Sequence, residues 1–506
     1  MITIYFTNKI ATNSVNIMDK KELDPLRRGI SRRKFLGSTA AATAGLTILP
    51  STVVSGLGHR APSDKLNIAG VGIGGKGFEL MRVMESENIV ALCDVDWEYA
   101  KDTFEYFNNA SKYKDYRKMF DEMGDDIDAV VIATSDHTHA VIAADAMTMG
   151  KHVYVEKPLT HSIYEARLLT KLAEQYQVVT QMGNQGASEE GTKKVIDWLQ
   201  RGEIGEVTRV ESFTDRPIWP QGLQRPEQGK WVPDTLDWDL FIGPAKMRPY
   251  HPTYTPWNFR GWWDFGTGAL GDMAAHILHG PFVGLNLGYP IKAQGSSTLL
   301  YHESAPDAER VNITFPARNG MPEVEVNWYD GGIKPLKPEG WPEGTDMNYD
   351  GGGVLLYGSE DVLVHGCYGR NPWLLSGREP DAPDAVNDLP ESHEMDWVNA
   401  CKENRKETFS PFSEAGPFTE MILMGVLSVR LQHLNKELEW DGENMEFTNI
   451  HDDETIQNVL EDDFYVEDGD PTFSRETTDD INAKAFAEEM IKHEYREGWS
   501  LPDMPS

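Results

Sequence analysis

The chain has 506 residues, 40% of them hydrophobic and 25% charged, enough apolar material for two ordinary cores. That composition excludes a mini-protein and a mainly disordered chain. With 47 Lys and Arg against 81 Asp and Glu the net charge is -34, a field that repels phosphate backbones and excludes nucleic acid as a partner. Three cysteines, Cys93, Cys367 and Cys401, are too few and too scattered for a disulfide framework or a thiolate zinc site.

Near the N-terminus, Ser31-Arg32-Arg33-Lys34-Phe35-Leu36 precedes a weakly apolar run over 37–58 rich in Ala, Thr and Gly. This is the layout of a twin-arginine export signal, so residues 1–63 are expected to be signal and linker, and the mature protein to be periplasmic. Pro50 interrupts the run, which is too polar for a spanning helix.

From residue 64 short apolar runs alternate with helical patterns. Strands are predicted over 66–71, 89–93, 129–132, 152–155 and 178–182, with helices following Gly77, Trp97, His139 and Ile163. The alternation predicts a doubly wound parallel sheet over 64–183, a Rossmann domain. Its first strand runs into Gly72-Ile73-Gly74-Gly75-Lys76-Gly77, which suits a tight turn, bare backbone beside a pyrophosphate and close helix packing. The next strand ends at Asp94, placed to bond the ribose hydroxyls of a dinucleotide. Asp94 and Asp96 would repel a 2′-phosphate, so NAD is favoured over NADP.

Thr134-Ser135-Asp136-His137-Thr138-His139 and Glu156-Lys157-Pro158 follow further strands, at the carboxyl ends where ligands bind in open α/β sheets. Thr134, Ser135, His137, His139, Glu156, Lys157 and the later Asn184 join the glycine loop and Asp94 as candidate cofactor residues. His137 and His139 read equally well as packing or capping residues. Lys157 beside a nicotinamide can hold or protonate a substrate oxygen.

The order of glycine loop, CDVD at 93–96, TSDHTHA at 134–140 and EKPLTHS at 156–162 resembles the glucose-fructose oxidoreductase, inositol dehydrogenase and MocA family. Gly268-Ala269-Leu270-Gly271-Asp272-Met273-Ala274-Ala275-His276 resembles that family's Gly-rich segment with Asp and His four apart. The resemblance covers about residues 64–440. It implies a Rossmann domain followed by an α/β domain with a large open-faced, mainly antiparallel sheet, assembled as a homodimer or homotetramer. It also implies oxidation or reduction of a secondary alcohol of a sugar or cyclitol with NAD(P), with Lys157, Asp272 and His276 as the active-site lysine, aspartate and histidine. Two departures stand out: Ser135 replaces a common proline, and Thr267 interrupts the usual glycine triplet.

On a helix Asp272 and His276 share one face, so the carboxylate can orient and charge the imidazole. His276 can then take a hydroxyl proton while Lys157 stabilises the oxygen, or the two can exchange roles. No metal site is expected, because His276 and His279 lack a further ligand cluster. Trp219, Trp231, Trp238, Trp257, Trp262 and Trp263 lie between the motifs, and indole faces suit pyranose C–H faces. Trp262 and Trp263, just before the Gly-rich segment, are the candidates for a substrate platform.

Later runs at 207–213, 311–315, 324–328 and 354–357 alternate by side, as half-buried antiparallel strands do. Helices over about 394–401 and 418–434 are expected to cover them within a substrate-binding and oligomerisation domain at 184–450. The remaining 451–506 read as an acidic insertion and a C-terminal helix or tail, with 452–480 expected to be a solvated acidic loop. An exported dinucleotide enzyme should fold around its cofactor and retain it. The leading expectation is therefore an NAD-dependent oxidoreductase with tightly bound cofactor, a carbohydrate substrate and the twin-arginine machinery as an export partner. The alternatives are an NAD-dependent glycoside hydrolase working by transient oxidation and elimination, and a non-catalytic carbohydrate-binding protein of the same fold.

Overall fold

The computed structural model describes residues 64–227, 229–347, 349–381 and 392–505; the export segment around Ser31 lies outside them. Runs such as 129–132, buried at every position, can only sit in a sheet covered on both faces. Strands β1 (Asn67–Val71), β2 (Asn88–Cys93), β3 (Ser111–Tyr113), β4 (Ala129–Ile132), β5 (His152–Val155) and β6 (Thr180–Met182) form one sheet in the order β3-β2-β1-β4-β5-β6. Every pairing in it is parallel.

Helices α1 (Lys76–Val83), α2 (Lys101–Tyr106), α3 (Tyr116–Met123), α4 (Asp136–Thr148) and α5 (Ile163–Tyr176) connect these strands. This is the doubly wound sheet read from the sequence. β3 escapes that reading because Ser111-Lys112-Tyr113 is a short, largely exposed edge with no apolar run. Helix α4 begins at Asp136, three residues before the predicted point, so the polar motif 134–139 spans a strand end and a helix start. The order reverses between β1 and β4, and the crevice at their carboxyl ends is where such sheets take ligands.

The second sheet contains β7 (Val207–Phe213), β8 (Lys292–Ser297), β9 (Glu309–Phe315), β10 (Val324–Tyr329), β11 (Gly353–Gly358), β12 (Val362–Gly366), β13 (Trp373–Leu374), β14 (Leu438–Asp441) and β15 (Glu446–Phe447). Its order is β13-β12-β11-β7-β10-β9-β8-β14-β15, antiparallel except for the pair β7–β10. A long helix over Phe412–Arg430 packs on β8 and β9 and on α5, tying the two sheets together. The opposite face carries Arg209, Gln294, Arg310 and Glu325, all exposed, so the sheet is open-faced as expected.

Two expectations need correction. The long helix starts at Phe412, not 418: Pro417 lies inside it and forfeits only its own backbone bond near the start. The acidic segment is solvated, but it is a two-stranded antiparallel ribbon, β17 (Val459–Glu467) with β18 (Asp470–Thr477), preceded by β16 (Thr455–Ile456). Asp468 and Gly469 both have positive φ, 51° and 91°, which is the backbone that a two-residue hairpin turn requires. Strand β19 (Ile481–Asn482) pairs with β16 and leads into a helix over Ala483–Ile491. Cys93, Cys367 and Cys401 are free and buried.

Candidate active site

The glycine loop closes the gap between β1 and α1. Gly72 has φ +74°, and a side chain there would meet the Ala133 backbone at 2.7 Å; one at Gly77 would meet the Gly72 carbonyl oxygen at 2.0 Å. The turn is therefore wound as tightly as backbone allows, leaving its amides beside a cavity of about 500 Å3. Asp94 lines that cavity. Its carboxylate accepts from the Gly74 amide at 3.1 Å and the Asp96 amide at 2.9 Å, while burial pushes its pKa up to about 6. Lys76 also lines the cavity and pairs with Glu79 at 3.1 Å; burial opposes its charge, but Glu156 and Glu79 outweigh that and raise its pKa.

The same cavity runs past Thr134, Ser135, Asp136 and Glu156 to Lys157 and His276. Helix α8 (Gly268–Ile277), which follows α6 (Glu190–Gln200) and α7 (Trp238–Ile242), brings Asp272 under Lys157. Lys157 Nζ donates to Asp272 Oδ1 at 2.6 Å, and Arg260 Nε donates to the same oxygen at 2.7 Å. Burial works against the Asp272 charge, yet the two cations hold its carboxyl far below the usual carboxylate range. Asp136 feels Arg260 and, more weakly, Lys157, and accepts a bond from Thr267 Oγ1, but burial dominates and pushes it up to about 7.

His276 lies on the same helix face as Asp272, but no hydrogen bond joins them among the described residues. The carboxylate is turned to Lys157 and Arg260 instead, so the expected orienting of the imidazole by Asp272 is not what the geometry provides. Burial, then the charge of Lys157, holds His276 well below its ordinary pKa, so the ring is neutral. Its Nδ1 is buried without a partner among the described residues, and the ring packs on Tyr368 at 4.8 Å.

Other sequence candidates fall differently. His137 Nε2 bonds the carbonyl oxygens of Phe241 and Ile242, and His139 bonds those of Pro158 and Thr134. Both rings brace backbone and neither lines the cavity, as their packing alternative supposed. The Ile73 side chain points into the core, while its carbonyl accepts from Thr103 Oγ1. Glu156 accepts from Gln185 Nε2 at 2.9 Å. Asn184 is wholly buried, and neither atom of its amide finds a partner among the described residues. Trp262 and Trp263 are a correction: both are buried away from the cavity, Trp262 donating to the Thr253 carbonyl and Trp263 facing Arg430. The aromatic walls are Tyr99, Tyr116, Phe241, Trp257, Phe259, Tyr368 and Trp499. Arg260 escaped the sequence reading; its only signal was a lone arginine among aromatics, Trp257-Asn258-Phe259-Arg260, twelve residues before Asp272.

Residues 65–184 match the GFO_IDH_MocA oxidoreductase family, NAD-binding Rossmann fold, and residues 193–291 match that family's C-terminal alpha/beta domain. The chain thus matches both domain models of this oxidoreductase family in their order along the sequence. Its NAD-binding domain fits the loop described above: bare glycine amides, a buried aspartate at the end of β2 and an unpartnered buried amide at Asn184. Among curated relatives, "Glycosyl hydrolase family 109 protein 1" of Shewanella sp. (strain MR-4) is 30% identical over 213 residues, 36% of this chain and 45% of that one. Alpha-N-acetylgalactosaminidase of Shewanella oneidensis is 28% identical over 233 residues, 40% of this chain and 50% of that one. The chain thus spans about half the length of the curated relatives it matches. In fold it is similar to the WlbA dehydrogenase of Chromobacterium violaceum, solved with NADH and UDP-GlcNAcA, with TM-score 0.53, 18% identity, 75% of this chain and 97% of that one. Among the described residues no helix is long and apolar enough to cross a membrane, and no group of three or more His, Cys, Asp or Glu could hold a metal ion.

Proposed function

We propose that the protein is an exported, NAD-dependent oxidoreductase that oxidises a secondary hydroxyl of a sugar, cyclitol or glycoside and keeps its dinucleotide tightly bound. One observation carries this reading: Lys157 and His276 stand on the wall of the cavity that begins at the glycine loop. The glycine amides and Asp94 would hold the dinucleotide, with Asn184 offering its free amide nearby. When bound, the nicotinamide supplies the hydride acceptor.

The chain's own groups supply the rest. His276, neutral and with Nδ1 buried, has Nε2 left to take the proton of the substrate hydroxyl. Lys157, pinned by Asp272, donates to that oxygen as negative charge develops on it. Trp257 and Phe259 on the cavity wall exclude water and offer ring faces to a sugar. Export is supported by the twin-arginine sequence at 31–36, which would direct the mature enzyme to the periplasm. Assembly as a homodimer or homotetramer would use the uncovered face of the large sheet.

The glycosidase reading has its own support in the curated relatives that carry glycosyl hydrolase names. One experiment separates the two. Purified mature protein is denatured to assay released dinucleotide, and the intact holoenzyme is screened with carbohydrates by cofactor absorbance and product mass. Stoichiometric NAD with a ketosugar product supports the dehydrogenase. NAD with released aglycone and no net reduction supports the glycosidase, and failure to bind any dinucleotide overturns both.

A further inference from the structure

Arg260, like Lys76 and Lys114, is a cation on the cavity wall that the proposed hydride transfer does not require, and it alone of the three shares Asp272 with Lys157. It sits on the 3-10 turn Asn258–Gly261, recessed with 18% of its side chain exposed, among the rings of Trp219, Trp257 and Phe259 at 4.7–5.9 Å. Of its five N–H donors, Nε is taken by Asp272 and one Nη1 donor by the Trp257 carbonyl, leaving three beside the cavity. Asp272 answers two cations at once, Lys157 and Arg260, so this trio carries one uncompensated positive charge. Asp136 and Glu156 also act on Arg260, more weakly than Asp272, and burial raises the pKa of both carboxyls, which lessens what they offset. A guanidinium set apart from bulk water with free donors in a planar fork is matched by a carboxylate.

We propose that Arg260 anchors a carboxylate of the substrate, so that the hydroxyl compounds turned over here are sugar acids, uronic or aldonic. This rests on the dehydrogenase reading above. A single surplus charge matches a monoanion, whereas a phosphate ester would bring about two negative charges to it. The anchored carboxylate takes no part in bond changes: hydride leaves the carbinol carbon for the cofactor and the hydroxyl proton goes to His276. The aromatic collar meanwhile packs on the ring or chain of the sugar and strengthens the charge pair by excluding water.

The test uses the NAD-bound holoenzyme with D-glucuronate, D-galacturonate and D-mannuronate, each against its methyl ester, and with glucose 6-phosphate. Binding is read by calorimetry and oxidation by cofactor absorbance. At least one acid should bind tenfold or more tightly than its ester, and more tightly than the phosphate. Arg260→Met should bring acid affinity to that of the ester, and Arg260→Lys should restore part of the difference. Equal binding of acid and ester by the wild-type enzyme in every pair, or tighter binding of the phosphate, overturns the anchor whatever the variants do. So does an Arg260→Met protein, folded and NAD-loaded, that weakens acid and ester by the same factor. Arg260-dependent acid binding with no cofactor reduction sinks the dehydrogenase reading but keeps the anchor. Reduction by neutral sugars alone keeps the dehydrogenase and sinks the anchor.

Discussion

Lys157 Nζ and Asp272 Oδ1 lie 2.6 Å apart although 115 residues separate them in the chain. The lysine stands just after β5 of the parallel sheet and the aspartate on a helix beside the large sheet, so the contact sets the width of the cavity as well as the aim of the ammonium group. Asp272→Asn would leave Lys157 and Arg260 without their shared counter-charge. Removing one partner of a buried pair costs about 3–5 kcal/mol. The variant should melt at a lower temperature and lose at least 100-fold in kcat/KM, measured by calorimetry and steady-state assay; unchanged values in both would remove the trio from any account of the site.

Lys157→Ala and His276→Ala bear on chemistry more than on cofactor retention, because the glycine loop and Asp94 sit at the other end of the cavity. Each should retain near-stoichiometric NAD after purification while turnover falls by about 100-fold or more, as for loss of a general acid or base. Dinucleotide content and ketosugar formation measured on the same preparation decide it. Wild-type turnover in Lys157→Ala would refute the site assignment.

A side chain at Gly74 would lie 2.2 Å from the Tyr99 ring, which stands over the glycine loop. Gly74→Ala should weaken NAD binding at least tenfold. The obstacle is a half-exposed aromatic and not backbone, so Tyr99→Ala in the same chain should recover part of that affinity. Fluorescence titration with NADH on cofactor-stripped protein reads both, and no recovery in the double variant would place the obstruction in the loop itself.

Asp136 gives a pH signature. Its native pKa is about 7 against an ordinary 3.8, so between those values the folded protein binds the proton that the unfolded chain has lost. Its contribution is fully present below pH 4 and is lost as pH rises through 7. Asp136→Asn should therefore gain on the wild type across pH 4 to 8, by at most about 4 kcal/mol. Thermal melts of cofactor-free protein over that range test this; a gap that shrinks as pH rises would contradict it.

How much of this was legible in the chain varies with the physics behind each feature. β4 and β5 could be bounded from sequence because continuous burial writes a continuous apolar run, whereas β3, exposed at an edge, writes nothing. The acidic ribbon hid behind its charge, though Asp468-Gly469 between Phe464 and Phe473 was a local turn signal. At the site, Lys157, Asp272 and His276 follow motifs with fixed spacing. Arg260 belongs to a loop, where no periodicity announces direction, and only the fold brings it to Asp272. The same limit explains Trp262 and Trp263: indole rings suit sugar faces and cores equally, and neighbours such as Tyr254 and Arg430 decide which.

Trp499 shares the cavity wall with the glycine loop, held beneath Arg117, whose guanidinium lies 4.4 Å from the indole centroid. More than four hundred residues separate the first wall of this chamber from its last. The parallel sheet is complete at residue 182, so the chamber that begins at its glycine loop is closed in part by an indole contributed about three hundred residues later, and a protease nick that frees Trp499 would remove that wall.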